Sequence, residues 1–458
     1  MKIQQFLQVT TLAAWLGALA QAQSPDLPRG LADFESPVEL GVSREVTDPP
    51  AGHIRALAEW EDAEAVMTLW ENPSLIAALA AHGHVKVLAG PSKNEAWWGR
   101  WLDSHNIDKQ NISFFNVRTD SIWVRDYGPW FILDGQGKFG IVDTIYNRPR
   151  PNDDKMPQYL GQVLGIPVYQ PGLVHTGGNF YNDGVVNGFS STLVYSENSA
   201  LKKSEIDSRM LAYLGIERYA TSPLAPKVTI EHIDTFGKLV SPDTWVFSEF
   251  PPGSRFRKDS EAYVAMLKKL PSAYGTPYKI LRLKMRLRDG ITRETRAEDY
   301  RAYINAFISN RALFFPTYGD DIDDEAKAIY QEALPGYAIV GVDNDGTSWG
   351  DSVHCRNRNL LRHDTLHLFT WVEKGVLKVE AYPSPGAVLE TAPLLTLRQA
   401  GQSRVLAMTR ETERTFSYPL MGEPGEKLGF RVTAADSQGV TKSVPQGASD
   451  VTIEYVIP

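Results

Sequence analysis

The sequence predicts an α/β fold made of five repeated modules, with a small all-β domain after them. Three observations predict it. One pattern recurs five times: a β-rich run, a second β-rich run, a helical stretch of about ten to fifteen residues, then another apolar strand. After Arg362 the helical period disappears, and short β-rich runs such as LHLFTWVE, LKVEAYP, KLGFRVTAAD and VTIEYVI alternate with turn-rich segments. Hydrophobic residues at 43% and charged residues at 22% match a globular protein able to bury such units.

The modules read in order as follows. The first takes AVMTLW, VKVLAG, a helix from Glu95 to His105 and ISFFNV. The second takes GPWFIL, KFGIVDTIYN, a helix around Gln158 to Leu164 and IPVYQPG. The third takes GNFYNDGVVNG, STLVYSE as its second strand, a helix from Glu205 to Leu214 and IERYAT. The fourth takes HIDTFGKLV, TWVFSEF, a helix from Ser260 to Leu270 and YKILRLKM, and the fifth YINAFISN, ALFFPTYG, the helix DDEAKAIYQEAL and AIVGVD. Each unit leaves an apolar face uncovered, so neighbours must stack, and five can close a ring, HCRNRNLL supplying the first module's missing strand. An open α/β sheet is the alternative on pattern alone.

Composition narrows the function. Acidic side chains number 55 against 47 Lys plus Arg, a net charge of −8, which argues against nucleic-acid binding. The single cysteine excludes a disulfide framework and a Cys-rich metal site. Residues 1–22 read as a secretory signal: Lys2, an apolar run from Phe6 to Leu19, then Ala20-Gln21-Ala22 as a cleavage site. The apolar run falls short of the ~20 residues that cross a bilayer, so an exported protein without a membrane span is expected. Asn111-Ile112-Ser113 is a glycosylation sequon if the host glycosylates.

Five polar motifs fall near the start of the equivalent first strand in successive modules: Asp126 in WVRDYGPW, Asn179 in HTGGNF, His232 in EHIDTF, Asn305 in AYINAF and Cys355 in SVHCRNRN. Arranged around an axis, they converge. A lone cysteine is more often a buried apolar side chain than a nucleophile, and Asp126 has an ion pair with a neighbouring arginine as its plain alternative. The company changes the balance. His232 and Asp234, one residue apart on an expected strand, project from the same face. A thiol, an imidazole and two carboxylates together suit a planar guanidinium, whose N–H pairs carboxylates accept bidentately.

WVRDYGPW, YNRPRPND, HTGGNF, EHIDTFGK, YINAF and DSVHCRN, in this order between Glu59 and Leu360, resemble the guanidino-group-modifying superfamily, specifically the Porphyromonas-type peptidyl-arginine deiminases, with agmatine deiminases as close relatives. The resemblance implies a five-bladed, pseudo-fivefold α/β propeller, cofactor-free and calcium-independent hydrolysis of arginine to citrulline, and an immunoglobulin-like domain after the catalytic one. With the signal at 1–22, the catalytic domain is then 23–362 and the β-domain 363–458. Carried over by position, Cys355 is the nucleophile, His232 the general acid/base, and Asp126 with Asp234 the guanidinium clamp. Trp123, Ile230 and Asn305 fall at substrate-binding positions, whereas Asn179 reads as structural.

Arg148 and Arg150, each followed by proline, share a face if the segment is extended, and they match the family position that binds a substrate's C-terminal carboxylate. The expected substrate is therefore arginine in peptides, preferably C-terminal, with free agmatine or arginine as the alternative and a non-catalytic extracellular binding protein as the contrasting class. His82 with His84, and His363 with His367, lack a third metal ligand in sequence reach. The acidic run Asp320, Asp321, Asp323, Asp324 and Glu325 reads as helix capping, and Asp343-Asn344-Asp345-Gly346 as a turn.

Overall fold

A computed structural model describes residues 46–224, 230–344 and 352–458; the expected signal peptide lies outside them, as do the last two residues of the Asp343–Gly346 turn. The described chain is a mixed α/β region followed by two antiparallel sheets. Five separate sheets make up the first region. Their inner pairs are Asn357–Leu361 with Ala63–Thr68, Trp130–Leu133 with Phe139–Val142, Tyr181–Asn182 with Asn187–Ser191, Gly237–Ser241 with Thr244–Glu249, and Phe307–Ser309 with Ala312–Thr317, each antiparallel. Each pair continues through a helix into a parallel outer strand: Val85–Ala89, Val168–Tyr169, Arg218–Ser222, Lys279–Lys284 and Ala338–Asp343.

The crossover helices follow from their end signals. Asp320 caps Asp321–Ala333 by accepting the Ile322 N–H at 2.9 Å, and Asp323 accepts from Tyr318, Gly319 and Asp320, so the acidic run closes a helix N-terminus. Helix Lys203–Leu214 stops at Gly215, whose φ of 68° and approach to Ile54, where a Cβ would lie 2.0 Å from the carbonyl oxygen, admit only glycine. The central strands bury both faces, as Trp245, Val246 and Phe247 of Thr244–Glu249 show.

Four expectations are corrected. The first module's crossover is helix Pro73–His82, which the sequence reading missed; Asn72 caps it through the Leu75 N–H at 2.9 Å, and Glu95–Ser104 with Ile112–Asn116 is an additional unit on the sheet's edge. AVMTLW is accordingly a second strand, with Asn357–Leu361 ahead of it. STLVYSE is not a strand: the strand ends at Ser191 and Leu193–Glu197 is helical, because Asn198 turns back to accept the Val174 N–H and donate to the carbonyls of Val174 and Val194. His232 and Asp234 lie not on a strand but at a 3-10 turn, Ile233–Thr235, which the Thr235 hydroxyl closes on the His232 carbonyl at 2.8 Å.

After Leu361 the chain forms one antiparallel sheet of His367–Glu373, Val376–Tyr382, Thr415–Pro419 and Thr409–Arg410. A second contains Gln402–Ala407, Leu394–Gln399, Lys427–Ala435, Thr441–Val444 and Ile453–Val456. Leu377, Val379 and Phe416 of one share a core with Leu395, Phe430 and Val432 of the other. Tyr274 enters that core from the α/β region, while Phe369 and Tyr382 enter the cluster that contains Cys355.

Candidate active site

The polar motifs all sit in short turns immediately before the first strand of each sheet rather than on the strands. Asp126 lies in the helical turn Val124–Tyr127, Asn179 in Gly177–Asn179, His232 before Ile233–Thr235, Asn305 just before Phe307–Ser309, and Cys355 in His354–Arg356. A tight turn ahead of a strand aims its side chain along the strand axis instead of across the sheet. The sheets thereby present these groups at a common end.

The distances bring them together. Cys355 Sγ is 3.3 Å from Asp234 Oδ2 and 3.3 Å from Asn305 Nδ2. Asn305 also donates to the Asp234 carbonyl at 3.1 Å and accepts the N–H groups of His354 and Cys355 at 2.9 and 3.2 Å, so it sets the pose of the cysteine turn. His232 Nδ1 is 3.6 Å from Asp126 Oδ1, and its Nε2 is 3.1 Å from the Thr176 hydroxyl. Asp126 Oδ1 accepts the Gly178 N–H at 3.0 Å. A Cβ added to Gly178 would stand 2.6 Å from Asp126 Oδ1, 2.7 Å from His232 Nδ1 and 3.1 Å from Asp234 Oδ2. Three catalytic candidates from neighbouring turns thus surround one point. Asn179, by contrast, accepts the backbone N–H groups of Ser191 and Ile233 at 2.9 and 3.3 Å and braces the turns.

The electrostatics are those of a buried site. Burial, with Asp234 and Asp126 adding to it, pushes the Cys355 thiol well above its ordinary pKa. Burial also raises Asp126 against the opposing charge of His232. Asp234 is buried too, but the hydrogen bond and charge of His354 outweigh that and hold it below the usual carboxylate value. Asp234 Oδ1 and His232 Nδ1 are buried and make no hydrogen bond among the described residues.

The expected binding residues fall around this centre. Trp123 is buried in the cluster that holds Cys355, and Arg356 lies between its ring and that of Trp70, 4.8 and 4.3 Å from the centroids. Ile230, Asn305 and Cys355 line a pocket of about 40 Å³ with Glu298, Tyr300 and Ser352. Arg148 and Arg150 do not share an extended face: the Arg150 N–H bonds the Arg148 carbonyl at 2.8 Å, a turn that leaves Arg148 half-buried and Arg150 buried against the Tyr146 hydroxyl at 3.2 Å. The proline at 151 starts a helical turn there instead of prolonging the extended segment. Arg148 nevertheless stands close enough to act on the charges of Asp126 and Glu197.

The other histidines have local partners. His82 Nδ1 contacts the Ala78 carbonyl, His84 Nε2 the Ser113 hydroxyl, and His367 lies 3.6 Å from Glu61. The sequence reading missed Glu59, Arg125, Lys238 and His354, a buried charge cluster below the cysteine turn. Its signal in sequence was weak, since single charged residues in four separate motifs look solvated until the fold assembles them.

Comparison with known proteins places the chain in a family and supports its fold. A 24% identical relative from Mycoplasma capricolum, named "Putative agmatine deiminase", aligns over 340 residues, 65% of this chain and 93% of the relative. The crystal structure of an arginine deiminase candidate from Porphyromonas gingivalis superposes with a TM-score of 0.57 at 22% identity, covering 67% of this chain and 98% of that one. The agmatine deiminase of Enterococcus faecalis does so with a TM-score of 0.57 at 20% identity, covering 68% and 99%. Residues 55–359 match the model of one family, and the chain belongs to it: the Porphyromonas-type peptidyl-arginine deiminases.

Proposed function

We propose that this deiminase converts the guanidinium of a peptide's C-terminal arginine to citrulline and ammonia, using Cys355 as nucleophile. The observation that carries the reading is the convergence of Asp126, His232 and Asp234 on one point, with Asp234 Oδ2 on the Cys355 thiol and Asp234 Oδ1 without a hydrogen bond among the described residues. A guanidinium laid between Asp126 and Asp234 supplies the missing donors and puts its central carbon beside sulfur. Its positive charge also opposes the burial and carboxylate charges that keep the thiol protonated. The thiol passes its proton to His232 as sulfur forms the C–S bond, His232 returns that proton to the departing nitrogen, and ammonia leaves a covalent thiouronium. Water activated by His232 then breaks the C–S bond and releases citrulline. No metal or cofactor enters these steps.

Five sheets, four of them preceded by a turn that brings Asp126, His232 with Asp234, Asn305 or Cys355 to a common site, fit a five-bladed propeller, and the two C-terminal sheets with their shared core fit an immunoglobulin-like domain at 363–458 after a catalytic domain at 23–362. The expected N-terminal signal supports export. A second reading, agmatine as substrate, is favoured by the names of the relatives and by Glu197 and Glu298 near the site, both pushed by burial to about 7. Citrulline release from a peptide ending in arginine and from its C-terminal amide, beside ammonia release from agmatine, separates the two. The expected result is at least about tenfold lower kcat/KM on the amide and on agmatine, as a carboxylate lost from Arg148 predicts; agmatine as the better substrate would overturn it.

A further inference from the structure

Asp234, the acceptor of the Cys355 thiol, is bonded through the same Oδ2 to His354 Nδ1 at 2.8 Å. The other ring nitrogen of His354, Nε2, lies 2.6 Å from Glu59 Oε2. Glu59 is a junction between modules distant in sequence. Its Oε2 also pairs with Arg125 Nη2 at 3.0 Å, and its Oε1 accepts the Ile308 N–H at 2.8 Å and the Lys238 ammonium. The Tyr181 ring covers Lys238 at 5.1 Å and His354 at 5.4 Å between centroids. All these side chains are buried.

The partners decide where the protons lie. An ammonium, a guanidinium and a peptide N–H can only donate, so Glu59 is an acceptor on both oxygens, and the Nε2 of His354 must donate to it. Burial opposes the Glu59 charge, but Lys238, Arg125 and His354 outweigh it and hold that carboxyl well below its ordinary range. The contact at Nδ1 then needs a proton of its own, between His354 and Asp234. Two hydrogen bonds through one imidazole hold two protons, so Asp234, His354 and Glu59 together carry a single negative charge whichever atom keeps the second. Burial, Arg125 and Lys238 hold the His354 imidazole below its ordinary pKa, against the pull of Glu59 and of the bond to Asp234.

We propose that His354, anchored by Glu59, is a positioning residue that holds Asp234 as a charged clamp, with Oδ2 on the cysteine thiol and Oδ1 turned to the substrate. The inference rests on the deiminase reading. Asp234 faces Asp126, His232, Cys355 and His354. Without the imidazole it would stand buried near another carboxylate, and such a group takes up a proton at higher pH and loses its grip on a guanidinium.

The test is the pH dependence of kcat/KM for ammonia release, from a peptide ending in arginine and from agmatine, in His354→Leu, His354→Gln and Glu59→Gln. His354 lowers the Asp234 pKa, so removing it raises that pKa, and the acid limb must move to higher pH. The limb is expected to move by about one pH unit or more in His354→Leu and by less in His354→Gln, which keeps one donor; Glu59→Gln moves it the same way. At a fixed pH on that limb, a variant whose limb has moved by about one pH unit loses about tenfold in kcat/KM. A residue that only packs would lower the rate equally at every pH. An acid limb left at the wild-type position in variants that unfold at the wild-type temperature overturns the proposal. Loss of folding in all three variants also overturns it, by making the chain a structural strut. A wild type inactive on both substrates takes down the deiminase reading and this inference together, whereas an active wild type with unmoved variants takes down this inference alone.

Discussion

Cys355 is a poor nucleophile until something changes its surroundings, because burial and two nearby carboxylates hold the thiol protonated. A cationic ligand between Asp126 and Asp234 reverses part of that. A cationic haloacetamidine should therefore alkylate Cys355 at about pH 7.5 at least about tenfold faster than a neutral haloacetamide, with one equivalent abolishing activity. Mass spectrometry of the labelled peptide and the two inactivation rates check this; equal rates would detach the carboxylates from the thiol. Asp126→Asn should lower kcat/KM by about a hundredfold or more, since it removes a charge-assisted pair to the reacting group. Gly178→Ala tests the convergence itself: its methyl would occupy the point shared by Asp126, His232 and Asp234. Citrulline formation should be lost while thermal unfolding stays near wild type.

Among the elements, the turn Pro151–Asp154 holds the loop that carries Trp123 and Asp126. Asp153, fully buried, accepts the Asp120 N–H and the Ser121 hydroxyl, each at 2.7 Å, and Asp154 accepts the Tyr146 N–H at 2.8 Å. Burial raises the Asp153 carboxyl to about 7 in the folded chain despite those donors. Its unfolded value is about 4, so between about pH 4 and 7 the folded form binds the proton and the unfolded form does not. Stability from this group is therefore greatest below about pH 4 and declines as pH rises to about 7. Asp153→Asn should flatten the dependence of Tm on pH across that interval, as calorimetry at several pH values would show. An unchanged slope would mean that the hydrogen bonds keep Asp153 ionised in the folded state.

Across the whole molecule, the two regions share cores and buried charges. Lys442 of the C-terminal region pairs with Glu61 at 3.1 Å and Asp62 at 2.9 Å, and Arg55 pairs with Glu380 at 2.7 Å, with Lys442, Glu61 and Arg55 buried. Removing one member of such a pair leaves a buried charge uncompensated, at a cost of about 3–5 kcal/mol. Lys442→Ala should lower the unfolding temperature by several degrees without altering kcat/KM, since neither carboxylate touches the site; a Tm at the wild-type value would show that water reaches Glu61. Cutting the chain after Arg362 exposes Tyr274 and the faces covered by Phe369 and Tyr382. The truncated protein should aggregate on size exclusion.

The repeat, the crossover helices after the second module's first strand, and the residues Asp126, His232, Asp234, Asn305 and Cys355 were legible along the chain. Hydrophobic period and capping are local, and a thiol, an imidazole and carboxylates recurring in register carry their chemistry in their residue types. Helix Pro73–His82 escaped because an alanine-rich segment shows little amphipathic contrast, and Leu193–Glu197 because aromatic and β-branched residues imitate a strand until Asn198 turns the chain. The order in which Asn357–Leu361 and Ala63–Thr68 stand in their sheet, the turn that separates Arg148 from Arg150, and the placing of Glu59 against His354, Arg125 and Lys238 were decided only in three dimensions, although HCRNRNLL already read as the first module's missing strand. Each joins or orients groups through contacts that no local pattern encodes, and a buried charge is recognisable as such only once the surrounding fold has taken away its water.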